Sequence, residues 1–401
     1  MLNEKGQREL VYIVKIDGIL PIDGADKVEI AQVGGWRIMV RKGQFTEGDL
    51  AIYFEIDSKV PEKEPFLFLK DKHFKIKTQK YFKGTVISQG LLMSPEDFGW
   101  SAAVRGDGTP VIKSKSKDYS EGDFLTKDLE VTYYDPEDNA RKAPSVDKYK
   151  KMAGRHPKLF KNPAIKWVYK HAWGKKFLFV FFGHVKDKKT EWPSWVQKTD
   201  EERVQNMPWI LEEKSEWIAT EKIDGTSTTA TLRKVNKRKH EFYICSRNVV
   251  FNKPDKKCYY DFNVYTEMAE KYHFEDVLRT IADRYKLEWV TLQGESYGAG
   301  VQKRDYGLKD HDFTGFNLIF SDRGRLNSKE SADIIKEFGI PWVPIIDEHF
   351  ILPDTVEELL EIATDKSVID GGMREGLVFR SQDGTKSFKA VSNEYLLKYH
   401  G

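Results

Sequence analysis

Cysteine is scarce: Cys245 and Cys258 are the only two among 401 residues. That excludes a disulfide framework and a cysteine-based zinc cluster, and it points to a reducing, intracellular setting rather than a secreted one. Long apolar runs are missing too. None approaches the ~18 residues that a membrane helix needs, and the opening MLNEKGQREL lacks the apolar stretch of a signal peptide. The nine histidines show no HExxH or other paired metal spacing. The glycine-rich GESYGAGVQ lacks the Lys-Ser/Thr pair that closes a phosphate-cradling loop. Neither sign of charge dominates, since 65 Lys and Arg face 63 Asp and Glu. What is present is a globular composition, 40% apolar and 32% charged, long enough for two or three domains.

The charge is unevenly spread. Residues 141–190 hold fifteen Lys and Arg against two Asp. Lys148, Lys150, Lys151, Arg155, Lys158, Lys161, Lys166 and Lys170 alternate with Tyr149, Phe160, Trp167 and Tyr169. Basic residues interleaved with aromatics suit a phosphate backbone with stacked bases. A solvated helical connector with its aromatics packed inward fits the same pattern.

Before this stretch, ELVYIVKI, KVEIAQV, WRIMVRK and DLAIYFEI read as short strands. Pro21 to Gly24, Gly34-Gly35 and Glu47-Gly48-Asp49 separate them as turns. FKGTVISQGLLMSP extends the pattern to about residue 95, and a small antiparallel barrel of OB type fits it. Three domains are expected: 1–110 as the barrel, 111–190 as the connector, which ends in the apolar FLFVFF, and 191–401 as mixed strands and helices. In the last, FNVYTEMAEKYHFEDVLRTIADRYK has helical spacing, while WVTLQGES, FNLIFS and EGLVFRS read as strands.

KIDG occurs twice, at Lys15 to Gly18 and at Lys222 to Gly225. A lone K-x-D-G match means little. Lys15 ends an early barrel strand, Asp17-Gly18 makes its turn, and no ordered set of acids and bases follows. Lys222 follows the strand-like SEWIATE and precedes TSTTATL. Behind it come Arg247 in YICSRNVVF, Glu295 in VTLQGESYGAGVQ, Phe316 in GFNLIF, Glu375 in REGLVFRS, and Lys386 and Lys389 in TKSFKAVSNEYLLKY.

That order (amine, cation, acid, aromatic, acid, cation) resembles the covalent nucleotidyltransferase superfamily of ATP-dependent ligases and mRNA capping enzymes. More narrowly, the chain resembles the Deinococcus-type RNA ligases, which carry an N-terminal OB domain. GADKVEIAQVGGWRIMVRKGQFTEGDLAIYFEIDS is similar to that domain, and PSWVQKTDEERVQN to the lead-in to the catalytic domain. The resemblance implies an α+β protein, in which an OB-like barrel and a basic connector precede an ATP-grasp-like adenylyltransferase domain of antiparallel sheets with flanking helices. The expected substrates are ATP, used with Mg²⁺ or Mn²⁺, and RNA or an RNA-containing duplex with 3′-OH and 5′-phosphate ends. A monomer that does not engage membranes is expected.

The resemblance also implies roles. Lys222 is the nucleophile, and its amine, with a reference pKa of about 10.4, must lose its proton. Lys386, Lys389 and Arg247 are expected to help by their positive charge. Glu295 and Glu375, with Asp224, are expected to hold the metal directly or through its waters, Glu295 also touching the ribose, and Gly225 closes the motif. Lys389 grips the α-phosphate. Many relatives have two lysines separated by one residue here, but Ser387 stands two before Lys389, so Lys386 substitutes or one contact is lost. Phe316, a core aromatic by periodicity alone, stacks on adenine. Glu221 either reads the adenine edge or is plain surface. Arg203 and Lys198 either approach the triphosphate or nucleic acid, or form the charged face of a short helix. The chain ends twelve residues after Lys389, where DNA ligases and capping enzymes usually continue into another OB domain. The RNA ligase branch is therefore expected. A DNA or mixed ligase remains as an alternative, as does a non-catalytic OB-type nucleic-acid-binding protein.

Overall fold

The computed structural model describes residues 1, 8–134, 159, 162–182, 192–199, 201–236, 239–251 and 263–399. Of the basic connector, Lys148, Tyr149, Lys150, Lys151, Arg155, Lys158, Phe160 and Lys161 lie outside the described residues. Two compact units result, one of residues 1–133 with 192–401 and one of 134–191.

The N-terminal part of the larger unit is built of short antiparallel strands. They are β1 (Val11–Lys15), β2 (Gly18–Pro21), β3 (Val28–Val33), β4 (Trp36–Arg41), β5 (Leu50–Phe54), β6 (Ser58–Lys59), β7 (Gln79–Tyr81), β8 (Val86–Ser88), β9 (Leu91–Met93), β10 (Ser101–Val104), β11 (Pro110–Lys113), β12 (Asp118–Tyr119) and β13 (Thr132–Tyr133). Sheets run β1-β5-β9 and β2-β3-β4, with smaller pairings around them. β1 shows why the period-two pattern matters. Val11 and Ile13 enter one core with Ile52, Phe54 and Phe66, while Tyr12 and Val14 enter another with Trp36, Ile38 and Tyr53. Ile112, Tyr119, Leu125 and Val131 complete the first core. The polar-looking 110–133 stretch thus contributes these four side chains to that core, and the larger unit runs as far as Tyr133 before the smaller one begins.

The smaller unit contains α1 (Pro163–Lys170) and α2 (Ala172–Phe182). The larger unit resumes with β14 (Glu216–Lys222), β15 (Thr226–Asn236), β16 (Lys239–Cys245), β17 (Val250–Phe251), α3 (Val264–Lys271), α4 (Phe274–Arg284), β18 (Trp289–Gly298), β19 (His311–Phe320), β20 (Gly324–Arg325), α5 (Ser328–Lys336), β21 (Ile345–Ile351), α6 (Val356–Ala363), β22 (Gly376–Ser381), β23 (Ser387–Val391) and α7 (Asn393–Tyr399). Two antiparallel sheets form, β17-β16-β15-β18-β19-β20 and β21-β14-β22-β23. This is the mixed α+β architecture expected.

Each sheet buries one face under helices. Ala230, Leu232, Val290, Leu292 and Leu318 pack against Met268, Leu278, Ile281 and Ile335. Trp217, Ala219, Leu377, Phe379, Phe388 and Ala390 pack against Leu359, Leu360 and Ala363. Strand alternation then turns Thr220, Lys222, Arg380, Ser387 and Lys389 to the opposite face of the second sheet. Side-chain hydrogen bonds tie the two sheets there. Arg380 Nε donates to Asn317 Oδ1 at 3.0 Å, and Asn317 Nδ2 donates to Gln293 Oε1 at 3.0 Å. No helix among the described residues is long and apolar enough to cross a membrane.

Candidate active site

Lys222 is the last residue of β14, and its side chain is 24% exposed. Its Nζ lies 2.8 Å from Glu375 Oε2. Burial pulls its pKa down, but Glu375, Glu295 and Asp224 outweigh burial and raise it above the ordinary lysine value. The charges that act most strongly on the amine are thus carboxylates, not the cations expected from the sequence.

The turn after Lys222 is held from three directions. The Asp224 N–H donates to Tyr306 Oη at 2.7 Å, and Tyr395 Oη donates to Asp224 Oδ2 at 2.8 Å. Gly225 lets the turn press against β18, where a Cβ would collide with the Ser296 carbonyl oxygen and Glu295 Cγ. Glu295 therefore lies beside the motif. Desolvation pushes its carboxyl up to about 8; Lys222 pulls it back, while Glu375 and Asp224 add to the rise.

Among the described residues, no three His, Cys, Asp or Glu side chains are placed to ligate one metal ion. Of the two expected ways for Asp224, Glu295 and Glu375 to hold a metal, directly or through its waters, the arrangement favours the second. Asp224 is engaged by tyrosine and Glu375 by lysine. The same carboxylates do fit a hydrated dication. Glu295 and Glu375 crowd one another's charge across Lys222, and Mg²⁺ keeps most of its waters when it binds few carboxylates.

The two candidate lysines near the C-terminus separate. Lys389 lies on β23 beside Arg203 and its N–H donates to the Glu202 carbonyl at 2.8 Å. Lys386 is 54% exposed and pairs with Glu213 at 2.6 Å, outside this face. It does not replace the lysine missing at Ser387, whose hydroxyl donates to Glu201. Arg203 is not on an exposed helical face. It is half-buried at the start of a short 3₁₀ turn, with its guanidinium 5.7 Å from the Trp36 ring centre and Glu375 among the charges acting on it. Lys198 donates to Asn248 Oδ1 at 2.8 Å, beside the exposed bend that carries Arg247.

Phe316 is the extra residue of a bulge, since Gln293 faces Asn317 while Gly294 faces Gly315. Its ring lies under the Arg380 guanidinium, at 5.6 Å. Glu221 is neither surface nor on the Lys222 face. It is buried and its Oε2 accepts the Val368 N–H at 2.8 Å, because alternation along β14 turns it away from Lys222.

Sequence reasoning missed Arg380, Tyr306 and Tyr395. Arg380 donates to Thr220 Oγ1 at 3.2 Å, and desolvation lowers its pKa to about 10. An arginine at the opposite parity to Leu377 and Phe379, inside the apolar strand GLVFRS, was its one available signal. The tyrosines are brought to Asp224 by a distant loop, for Tyr306, and by α7, for Tyr395, and left no local pattern.

Residues 10–95 match an OB-fold domain model, and residues 215–400 match the RNA ligase family model. A search of curated proteins finds no match. Solved structures of Naegleria gruberi RNA ligase are similar over nearly the whole chain. A glutamate-to-alanine variant with ATP and Mn is 26% identical with a TM-score of 0.66, covering 98% of this chain and 100% of that one. The enzyme with PPi is 26% identical at 0.64, covering 98% and 99%. A lysine-to-methionine variant with AMP and Mn gives the same identity, score and coverages as the PPi structure. Lys222, Glu295, Glu375 and Lys389 all lie inside the matched span, so the chain carries an RNA ligase family domain over residues 215–400, preceded by an OB-fold domain at residues 10–95.

Proposed function

We propose that the protein is an ATP-dependent RNA ligase that seals a 3′-OH to a 5′-phosphate through lysyl-AMP on Lys222. The carrying observation is the Lys222–Glu375 pair beside Glu295, inside the RNA ligase span. Relatives solved with ATP and Mn, and with AMP and Mn, support the nucleotide and a divalent cation.

In the first step Lys222 Nζ, having lost a proton, bonds to the α-phosphorus of ATP and the bond to pyrophosphate breaks. In the second, an oxygen of the RNA 5′-phosphate bonds to that phosphorus and the P–N bond breaks, returning the electron pair to the lysine. In the third, the RNA 3′-oxygen loses its proton, bonds to the 5′-phosphorus, and AMP leaves. Glu295 and Glu375 would hold a divalent cation, which would supply positive charge at the α-phosphate. Glu375 is the largest electrostatic influence keeping the Lys222 amine protonated, so the amine becomes nucleophilic only when that charge is offset. Lys389 and Arg203 bring positive charge toward the same face, where it stabilises the oxygens that become more negative as pyrophosphate leaves. Phe316 offers a ring to adenine.

Nicked duplexes that differ only in the sugar of the 3′-OH strand test the RNA assignment. Sealing with ATP at the RNA 3′-OH, with the adenylated 5′ end visible at early times, is the expected result. Joining confined to DNA 3′-OH ends would make it a DNA ligase, and use of GTP alone would move it to capping.

A further inference from the structure

The helix pair α1–α2 carries none of the residues assigned roles above. Its start follows from local chemistry: Asn162 Oδ1 accepts the Ala164 N–H, and Pro163 occupies the first turn. The two helices turn sharply at His171. Gly174 permits the turn, because a Cβ there would strike the Val168 carbonyl oxygen. The sequence pattern left two placements for the aromatics, inward or outward. Trp167 is 61% exposed and Trp173 is 58% exposed, so these two rings face outward.

The rings form a row. His171 lies 5.0 Å from Trp167, edge to face, and 6.1 Å from Trp173, stacked with an interplanar angle of 12°. Lys166, Lys170 and Lys176 are exposed on the same two helices. Solvent-facing tryptophans cost apolar exposure that a mere connector has no reason to bear. The fifteen Lys and Arg against two Asp in residues 141–190 give this stretch the opposite sign to a nucleic-acid backbone.

We propose that this helix pair is a binding surface for single-stranded RNA. Bases stack on Trp167 and Trp173, and phosphates meet Lys166, Lys170 and Lys176. Stacking on rings does not depend on which base is present, so the surface is tolerant of sequence. The choice of RNA rests on the ligase reading above. A negatively charged membrane surface would use the same lysines and is the competing partner.

The test uses the full chain and a short fluorescein-labelled single-stranded RNA, titrated at low and moderate salt. Wild type, W167A/W173A, W167F/W173F and K166Q/K170Q are compared, with lysyl-AMP formation measured on the same preparations. Expected is at least about a ten-fold loss of RNA affinity in W167A/W173A, near-complete recovery in W167F/W173F, and unchanged lysyl-AMP formation. K166Q/K170Q should flatten the salt dependence of binding. Unchanged RNA affinity in W167A/W173A would overturn the proposal. So would binding of wild type to phosphatidylserine vesicles that is lost in W167A/W173A while RNA affinity holds. Failure of wild type to form lysyl-AMP while the tryptophans still govern RNA binding would sink the ligase reading and leave this surface standing.

Discussion

Lys222 Nζ and Glu375 Oε2 sit 2.8 Å apart, Lys222 ending β14 and Glu375 directly preceding β22, whose first residue Gly376 pairs with Lys222. This pair holds the amine in its charged, non-nucleophilic form until something competes for the carboxylate. Glu375→Gln should therefore lower the pKa of Lys222, read as faster acetylation of that amine at neutral pH by mass spectrometry. The same variant should form lysyl-AMP about 100-fold more slowly with ATP and Mg²⁺, because the metal loses a carboxylate. A change in neither quantity would detach Glu375 from the chemistry.

Glu295 gives a pH signature. Its carboxyl is pushed up to about 8 from an ordinary 4.5, so the folded protein holds a proton there that the unfolded chain has released. Stability from this group is full below 4.5 and falls as pH rises toward 8. Glu295→Gln should remove that loss. Without metal, its Tm relative to wild type should be higher at pH 8 than at pH 5, while lysyl-AMP formation collapses. Parallel Tm curves across this range would show that Glu295 is not raised.

Lys389 and Lys386 should behave oppositely. Lys386 makes an exposed pair with Glu213, a kind worth about 0.2–1 kcal/mol. Lys386→Ala should leave lysyl-AMP formation within about two-fold, whereas Lys389→Ala should slow it by about 100-fold. Equal effects would contradict their separation on β23.

Tyr395 and Tyr306 clasp Asp224 from two sides. Tyr395→Phe removes one hydrogen bond to a buried carboxylate and should cost about 1–3 kcal/mol of stability, seen in urea unfolding. It should also slow lysyl-AMP formation more than it changes the KM for ATP, since the tyrosine acts through the position of the KIDG turn. A variant as stable and as fast as wild type would remove Asp224 from the account.

Much of the catalytic domain could be read along the chain because its functional groups stand on strands, where period-two alternation and order are local. The order of Lys222, Glu295, Phe316, Glu375 and Lys389 along the chain carried the resemblance, and each stands on a strand or directly before one. Direction off the strand was harder to read. Glu221 is adjacent to Lys222 yet points into the opposite layer, and Lys386 lies just before β23 and turns outward to Glu213. The clasp on Asp224 was invisible because Tyr306 lies 82 and Tyr395 171 residues away in the chain. The part that residues 110–133 play in the N-terminal core was hard to read for a related reason. Residues 110–133 look polar, and only their few inward side chains, such as Ile112 and Leu125, reveal the core they complete.

The most direct measurement is intact mass after incubation with ATP and Mg²⁺, for wild type, Lys222→Ala and Lys15→Ala. One added AMP in wild type and in Lys15→Ala, absent from Lys222→Ala, is the predicted result. No adduct on folded wild-type protein that was free of AMP at the start, or an adduct that survives Lys222→Ala, would contradict the assignment of Lys222 as the nucleophile.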